Sequence, residues 1–357
     1  MEISKTFWVN KRIFLTGHTG FKGSWLVLWL QSLGAKVYGL SLEPPTIPNL
    51  FNIAQVSKSM ACHTIGDIRN LEIVHQAMKT ADPEIVIHMA AQPLVRFSYQ
   101  EPVQTFATNL MGTVHVLEAV RRLPSIKVVL VVTTDKCYEN KEWPWSYREN
   151  EPMGGHDPYS SSKGCAELVT SAYRQSFFSS PNSVNKIASA RAGNVIGGGD
   201  WSQDRLIPDA IKAFEASKPL MIRNPLAMRP WQHVLEPLSG YLILAQALFE
   251  QGSSFASAWN FGPNDRDNRS VQEVVELMIS GWGESARWEK EGSEQPHEAN
   301  LLKLDCSKAQ TQLGWVPRWN LEIATQNIVQ WQKAYQAKKS MHKFSLAQID
   351  NYMSHKL

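Results

Sequence analysis

Apolar runs of strand length alternate with amphipathic stretches over the first 195 residues of the chain. We expect strands at the five apolar runs, 12–16, 36–40, 84–89, 127–133 and 186–191. A chain that alternates strands with helices buries its apolar surface by forming a parallel sheet with helices on both faces. The pattern therefore predicts an α/β fold built on a doubly wound parallel sheet.

The helices of this half carry recognisable end signals. The first is expected to begin near Gly23 and to stop at Gly34, because glycine adopts the left-handed conformation of a helix C-terminal cap at little cost. A second helix is predicted over 102–123. A third opens at Asp157 and Pro158, a strong N-cap residue followed by one favoured at the first helical position, and it continues to residue 178.

The chain becomes less regular beyond Gly197, where glycine-rich and tryptophan-rich loops separate shorter elements. The later elements are a strand at 220–223, helices at 236–249 and 321–337, and a helix near 344–352 that we expect to be peripheral. Because 357 residues exceed the roughly 250 to 300 that one core serves, two lobes are expected. They comprise 1–195 with return segments at about 230–262, and a smaller, mixed α/β C-terminal lobe at 196–357.

Composition excludes several classes of protein. Hydrophobic residues make up 43% of the chain, and no apolar stretch approaches the roughly 20 residues of a membrane span. The net charge is only +3 and Lys and Arg are dispersed, which argues against a nucleic-acid partner. The cysteines are widely separated without metal-ligand spacing, and no signal-peptide pattern is present, so we expect a cytoplasmic protein without a metal. They are Cys62, Cys137, Cys165 and Cys306.

Three glycines follow the first predicted strand directly, in the segment TGHTGFKG at 16–23. Glycines at this spacing permit a tight turn, and the N-terminus of the next helix offers N–H groups and a partial positive charge to a pyrophosphate. The strand–turn–helix context therefore predicts a dinucleotide site rather than a plain turn. The candidate cofactor-binding residues of this loop are Gly17, Thr19, Gly20, Phe21, Lys22 and Gly23.

The nature of the dinucleotide depends on the end of the second strand, where an acidic residue commonly holds the adenosine ribose. This chain has Ser41 there, with Glu43 two positions later. No Arg or Lys follows the strand to accept a 2'-phosphate. The segment therefore favours NAD over NADP.

Tyr159 and Lys163 are four residues apart and share one face of the third helix. On spacing alone they could be an ordinary tyrosine and a solvated lysine. In a dinucleotide-binding fold, the ammonium beside the phenol is expected to favour phenolate and to lower the pKa of Tyr159 from about 10 toward neutrality. Thr134 follows an apolar strand, at the sheet edge where ligands bind, so these three residues are candidate catalytic groups.

The chain resembles the extended short-chain dehydrogenases/reductases over nearly its whole length. The motifs are the loop at 16–23, Gly66-Asp67-Ile68, His88-Met89-Ala90-Ala91, Asn109 in NLMGT, the Tyr159 and Lys163 pair, and Leu313-Gly314-Trp315-Val316-Pro317. The resemblance implies a Rossmann-type fold in which 1–195 binds NAD and 196–357 binds mainly a nucleotide sugar. It also implies further cofactor contacts from Asp67 and Ile68 at the adenine, from Ala90, Ala91, Asn109 and Tyr159, and from Lys163 at the nicotinamide ribose.

The segment after the catalytic threonine resembles the sugar-nucleotide dehydratases of this family. These enzymes usually carry an Asp-Glu pair there, in which Asp protonates the leaving 6-hydroxyl and Glu removes the C5 proton. Asp135 matches, but Lys136 replaces the glutamate, and a lysine is a base only when neutral. Lys136 is therefore a candidate base or, alternatively, a surface or phosphate-contacting residue.

The segment TTDKCYEN at 133–140 most resembles the branch of these dehydratases that acts on CDP-glucose. The implied reaction oxidises C4 through NAD, removes water across C5 and C6, and returns the hydride to C6, in the synthesis of dideoxyhexoses for surface polysaccharide. The candidate substrate-binding residues are Gln92, Asn194, Arg205, Arg229 and His297. The family also pairs subunits through two long helices, which implies a homodimer. The alternatives are a 4,6-dehydratase for another nucleotide sugar, an epimerase or 4-keto reductase of the same fold, or a non-catalytic NAD(P) sensor.

Overall fold

The computed structural model describes residues 2–180, 184–283, 286–291 and 301–355. The strands in these residues are β1 (Arg12–Thr16), β2 (Lys36–Ser41), β3 (Cys62–Ile65), β4 (Ile85–His88), β5 (Val128–Val132), β6 (Lys186–Ala192), β7 (Val195–Ile196), β8 (Leu220–Ile222), β9 (Met228–Pro230), β10 (Gln232–His233), β11 (Ala258–Phe261), β12 (Asn268–Ser270) and β13 (Trp288–Lys290). Seven of them form one parallel sheet in the order β11-β6-β5-β4-β1-β2-β3. Its carboxyl edge collects the ends of β1, β4, β5 and β6.

The α-helices in the same residues are α1 (Lys5–Trp8), α2 (Phe21–Ser32), α3 (Leu50–Ile53), α4 (Leu71–Ala81), α5 (Val95–Gln100), α6 (Pro102–Phe106), α7 (Gly112–Arg121), α8 (Pro158–Phe177), α9 (Leu206–Glu215), α10 (Leu235–Gln251), α11 (Val271–Trp282), α12 (Leu321–Gln336) and α13 (Met341–Ser354). π-helical turns lie at Ala107–Met111 and Ala309–Leu313, and 3-10 turns at Val56–Ser59, Asp135–Cys137, Gly252–Phe255 and Asp265–Asp267. None of the described helices is both long and apolar enough to cross a membrane.

The predicted fold class, a doubly wound parallel sheet, is confirmed. All five strands predicted in the first 195 residues are present; β2 and β6 each extend one residue further than expected, and β4 and β5 are each one residue shorter at both ends. Two strands of the sheet were not predicted. β3 lies at an edge with most of its side chains exposed, so no apolar run marks it, and β11 joins the sheet beside β6 from far along the chain.

The predicted helix ends agree closely with the structure. Gly34 has a φ of 84°, as the left-handed cap after α2 requires, and the Asp157 side chain accepts the N–H of Ser160 at the start of α8. The single helix expected at 102–123 is divided into α6, a π-helical turn and α7. Such π turns occur often at functional sites, and this one carries Asn109.

Separate hydrophobic cores flank the large sheet and fill the second lobe. The second-lobe core lies among α9, β8, α11 and α12 and includes Phe214, Trp231 and Met278. The division at residue 195 stays an interpretation. The expectation that the last helix is peripheral is wrong, because Ile349 and Tyr352 of α13 are buried and the helix packs on α2.

Candidate active site

Two glycines of the loop between β1 and α2 leave no room for a side chain. Gly17 has a φ of 79°, and a Cβ on it would lie 2.8 Å from the backbone of Ala90. A Cβ on Gly23 would lie 2.1 Å from the carbonyl oxygen of Gly17. Gly20 is the N-cap of α2, and no side chain caps that helix end or places an acid in its first turn. The loop therefore fits the pyrophosphate of a dinucleotide on backbone N–H groups.

Two uncharged hydroxyl groups lie together at the expected adenosine end of this loop. The hydroxyls of Thr19 and Ser41 lie 2.7 Å apart, and Thr19 donates to the carbonyl of Leu42 at 2.8 Å. Glu43 is exposed. Asp67 bonds to Arg69, chiefly through a side-chain hydrogen bond that lowers the pKa of Asp67. The buried Ile68, also expected at the adenine, packs on Gly112 of α7.

Lys22 of α2 is half-buried and contacts α10 of the same chain. Its ammonium is 3.1 Å from the hydroxyl of Tyr241 in α10. Burial, followed by the charges of Lys163 and Arg205, lowers the pKa of Lys22 to about 7, whereas Asp135 raises it. Lys22 therefore couples the cofactor loop electrostatically to the predicted catalytic residues Lys163 and Asp135.

A buried hydrogen-bond chain connects the cofactor loop to α8. The Thr16 hydroxyl accepts the N–H of Ala90 and lies 2.7 Å from His88, which is 3.1 Å from Thr113. Thr113 in turn donates to the carbonyl of Asn109, one turn earlier. This chain fixes the loop at 88–92 against the sheet, with Ala90 and Ala91 half-buried along its edge.

Asn109 and Gln92, which we expected to contact ligands directly, hydrogen-bond within the protein. The Asn109 amide bonds both backbone groups of Gln92 and donates to Ser162 of α8 at 2.9 Å. The Gln92 amide bonds Leu94 and Thr105. The structure therefore gives both residues a supporting position beneath the loop, and a direct ligand contact of either stays a prediction.

The predicted catalytic residues of α8 and β5 lie together. Tyr159 hydrogen-bonds Thr134, and the Lys163 ammonium donates to the carbonyl of Val132 at 3.1 Å. All these side chains are buried. Burial lowers the pKa of Lys163 to about 8.

The prediction that Lys163 lowers the pKa of Tyr159 toward neutrality is wrong when only the protein's own groups act on the phenol. Burial raises the pKa of Tyr159 to about 12; Thr134 and Arg205 act to lower it, and Asp135 acts to raise it. Desolvation of the phenol outweighs the nearby cations because the whole side chain lies among buried groups. The phenol is therefore protonated at neutral pH in the protein alone.

Asp135 has the features of a general acid. One carboxylate oxygen accepts from Thr134 at 2.9 Å, and no described residue hydrogen-bonds the other, Oδ2. A Cβ on Gly193 would lie 2.8 Å from Oδ2, so this glycine leaves space beside it. Burial raises the pKa of Asp135, while Lys136, Thr134 and Arg229 act to lower it. Lys136 itself is half-buried beside this carboxylate.

The second lobe brings two of the predicted substrate arginines to the same place. Arg205 forms an ion pair with the buried Asp200 at 2.9 Å, and its charge reaches Tyr159. Arg229 is buried and its charge acts on Asp135. Asn194 follows β6 and is half-buried at the sheet edge. His297 lies outside the described residues.

Three residues at the site were not predicted from the sequence. Glu167 follows Lys163 by four residues, and this repeat of the Tyr159 spacing was a usable signal. Asp200 is close to Arg205 in sequence, whereas Tyr241 lies 219 residues from Lys22 and nothing local marks it. The roles of all these site residues stay predictions.

Residues 14–328 match the family model described as GDP-mannose 4,6 dehydratase. This span covers most of the chain and includes the loop, the catalytic helix and both arginines. The chain belongs to this family. The resemblance to the extended short-chain dehydrogenases/reductases is thereby confirmed.

Two dehydratases are similar to this chain over nearly its whole length. The chain is 55% identical over 355 residues to a CDP-glucose 4,6-dehydratase of Salmonella typhimurium, covering 99% of each chain. A dTDP-glucose 4,6-dehydratase of Xanthomonas campestris is 25% identical over 339 residues, 89% of this chain and 92% of the relative.

Solved structures show the same fold at low identity. A Bacillus anthracis dTDP-glucose 4,6-dehydratase in complex with NAD has a TM-score of 0.73 at 23% identity, covering 92% of this chain and 98% of the other. A Bacillus cereus UDP-glucuronic acid 4-epimerase in complex with UDP-glucuronic acid and NAD has a TM-score of 0.78 at 23% identity, covering 90% and 99%. Dehydratases and epimerases therefore share this architecture, and the site must distinguish them.

Proposed function

We propose that this protein is an NAD-dependent CDP-glucose 4,6-dehydratase that forms CDP-4-keto-6-deoxyglucose and water. The observation that carries the proposal is the 55% identity to the Salmonella dehydratase over 99% of both chains. The fit of the glycine loop to a pyrophosphate supports NAD, as does the lack of a cation at Ser41. The product class suits dideoxyhexose synthesis for O-antigen polysaccharide, in the cytoplasm.

Tyr159 is the proposed base for the proton of the sugar 4-hydroxyl. Thr134 hydrogen-bonds the phenol and orients the same substrate oxygen. A bound NAD would be held by the glycine loop and Lys163; it would supply the hydride acceptor at C4 and the hydride donor at C6, and its cationic ring would favour a phenolate nearby. Lys163 holds the cofactor ribose from α8 and keeps a positive charge on this face. Proton removal and hydride transfer both occur among buried groups, where the charge of Lys163 acts more strongly than it would in water.

Asp135 is the proposed acid that protonates the leaving 6-hydroxyl. Its Oδ2 lacks a protein partner among the described residues, and burial raises its pKa, so it can carry a proton to the reaction. An epimerase or 4-keto reductase needs no such acid, which favours dehydration. A pure sensor has no chemical need for the buried Tyr159 and Lys163 pair.

Lys136 is the proposed base at C5. It lies beside Asp135 on the same turn, so acid and base would act on neighbouring carbons. A Lys136→Met variant should lose exchange of solvent deuterium into C5, measured by NMR of the product, while transient reduction of NAD persists. Exchange at the normal rate would remove Lys136 from this role.

Arg205 and Arg229 are the proposed contacts for the substrate diphosphate. Guanidinium groups match phosphate oxygens in geometry and charge, and the ion pair with Asp200 fixes the Arg205 side chain. Asn194 and His297 are further proposed contacts.

The protein is proposed to form a homodimer through α6–α8. Apolar side chains with no cover within the described chain project from these helices, with Val103 at 81% and Leu168 at 59% exposure, beside Met111. Packing the two helical segments against a second copy would bury this surface in a four-helix seam. Leu168→Glu should produce monomers in sedimentation equilibrium, and an unchanged mass would exclude this seam.

The test of the function is incubation of the purified protein with NAD and, separately, CDP-glucose, dTDP-glucose, GDP-mannose or UDP-glucose. The alkali-induced absorbance of a 4-keto-6-deoxy sugar should develop with CDP-glucose alone. Signal with a different nucleotide would keep the dehydratase and overturn the CDP assignment. Silence with all four, together with a sugar isomer detected by NMR, would favour the epimerase.

A further inference from the structure

Glu167 extends the catalytic face of α8 by one turn. Tyr159, Lys163 and Glu167 are spaced by four residues, so they lie along one side of the helix. All three side chains are buried, although a carboxylate is rarely buried without a partner. The carboxylate of Glu167 therefore has to be held by specific groups.

Three donors from two strands hold this carboxylate. The hydroxyl of Thr133 donates to Oε1, and Ser189 and Arg191 of β6 donate to Oε2 at 2.7 and 2.8 Å. The ion pair is almost fully buried, with 4% of Arg191 and 3% of Glu167 exposed. The carboxylate thus joins α8 to the ends of β5 and β6.

Arg191 is fixed in turn from its other side. Its guanidinium donates to the hydroxyl of Tyr138 at 2.7 Å and to the carbonyl of Glu149 at 3.0 Å. Burial alone would raise the pKa of Glu167, but Arg191, together with the Thr133 and Ser189 hydroxyls, holds it below its ordinary value. Glu167 is therefore held as an anion at neutral pH inside the protein.

The chain segment that Glu167 holds is the one that carries the chemistry. Lys163 donates to the carbonyl of Val132, Glu167 accepts from the next residue, Thr133, and Thr134 follows. Two groups of one helix thus fix successive residues of the strand end. A shift of about 1 Å at such a position can cost on the order of a hundredfold in rate.

The same carboxylate compensates the buried ammonium of Lys163. Burial lowers the pKa of Lys163, and Glu167 is the larger of the influences that raise it, before Cys137. Lys22 of α2 and His88 of β4 also lie within electrostatic reach of Lys163, whose charge lowers the pKa of each. Without the anion of Glu167, the ammonium would face mainly burial and a second cation.

We propose that Glu167 is a positioning residue for the dehydratase reaction, which fixes the strand end carrying Thr134 and keeps Lys163 in its charged form. Arg191 holds Glu167 ionised for both tasks. This inference rests on the proposed function for the identity of the reaction, but its effect on Lys163 does not require a sugar substrate.

The decisive variant is Glu167→Gln, which keeps the shape and removes the charge. NAD binding is followed by quenching of tryptophan fluorescence from pH 6 to 10, and kcat with CDP-glucose over the same range. The alkaline loss of NAD affinity and of kcat should begin about one pH unit lower than in the wild type, because Lys163 loses the carboxylate that most raises its pKa. Lys22 titrates in the wild type and in every variant, so the informative quantity is the difference between the alkaline limb of Glu167→Gln and that of the wild type.

Two controls separate charge from structure. Glu167→Asp and Arg191→Lys retain the ion pair, so their alkaline limbs should remain near that of the wild type even if kcat falls. A Glu167→Gln protein that is folded but loses the same factor in affinity and kcat at every pH would overturn the proposal, since that is the behaviour of a merely structural residue.

The positioning of Thr134 is tested by a variant that does not touch the ion pair. Thr133→Val removes only the hydroxyl that bonds Glu167, and kcat should fall about tenfold or more with NAD affinity unchanged. An unchanged kcat would overturn this part, even if Glu167→Gln failed to fold. If the NAD-binding limb shifts as expected while no nucleotide sugar is dehydrated, the proposed function fails and the inference about Lys163 stands.

Discussion

The two sides of the site are constructed differently. On the cofactor side, the chemical groups come from single elements at fixed spacing: glycines three apart at the start of α2, and Tyr159, Lys163 and Glu167 four apart on α8. On the substrate side, Arg205 and Arg229 come from separate segments and depend on contacts such as the pair with Asp200. The cofactor-side groups are thus spaced within single elements, whereas the two substrate-side arginines come from segments that only the tertiary fold brings together.

The largest effect should follow from removing the phenolic oxygen on the cofactor side. Tyr159→Phe should reduce kcat by about 10³-fold or more, in the range observed for loss of a general base together with its alignment. Because the arginines are untouched, the dissociation constant for CDP-glucose should change less than about threefold. The alkali-induced absorbance of the product measures kcat, and calorimetric titration measures the dissociation constant. A comparable loss in binding would show that the two sides are not separable.

Asp135→Asn should interrupt the reaction at a later point. The amide cannot protonate the leaving hydroxyl, so reduction of NAD should proceed to a transient that persists, while dehydration slows by about 10² to 10³-fold. Stopped-flow absorbance at 340 nm measures the first step, and the alkali-induced product absorbance the second. Near-normal dehydration would remove Asp135 from its assigned role.

Removing a substrate-side cation should mainly affect KM. Arg205→Met should raise the KM for CDP-glucose by roughly 10 to 100-fold, since a hydrogen bond to a charged group contributes about 1.5 to 3 kcal/mol. A smaller fall in kcat is expected because Arg205 also lowers the pKa of Tyr159. Asp200→Asn, which leaves the guanidinium but loosens it, should show the same pattern at smaller size. A change confined to kcat would place Arg205 on the chemical side instead.

This contrast also explains what the sequence could predict. The sheet, α2 and α8 follow from apolar runs and end signals within each segment, and Gly34 and Asp157 are at the predicted ends. The neighbours of Lys22 and Asp135 could not be predicted, because Tyr241 and Arg229 reach them only through the tertiary fold.

Electrostatic properties were less predictable than positions. The pair of Tyr159 and Lys163 was identified by spacing, yet the direction of the pKa shift of Tyr159 was wrong because its burial has no local sequence signal. Burial also explains the error at α13: its apolar positions cover α2, an element more than 300 residues away in the chain.

The smallest effect on turnover is expected from Glu236, which lies away from the reacting groups on α10. This buried carboxylate accepts the N–H groups of Arg318 and Trp319, just before α12 of the second lobe, and the hydroxyl of Tyr352 in α13. Unlike Glu167, it forms no ion pair with a guanidinium among the described residues, and burial raises its pKa to about 7. The two buried glutamates should therefore respond to pH in opposite directions.

For Glu236 the sign follows from the raised pKa. Its contribution to stability is complete below the ordinary value near 4.5 and is lost as the pH rises through about 7, because the unfolded chain releases its proton first. The Tm of the wild type relative to Glu236→Gln should thus decline by a few degrees between pH 5 and 8, measured by scanning calorimetry. Tyr352→Phe, which removes one donor and keeps the carboxyl, should retain the decline. A constant difference between wild type and Glu236→Gln would show that Glu236 does not titrate in this range, and the contrast with Glu167 would then lie in hydrogen bonding alone.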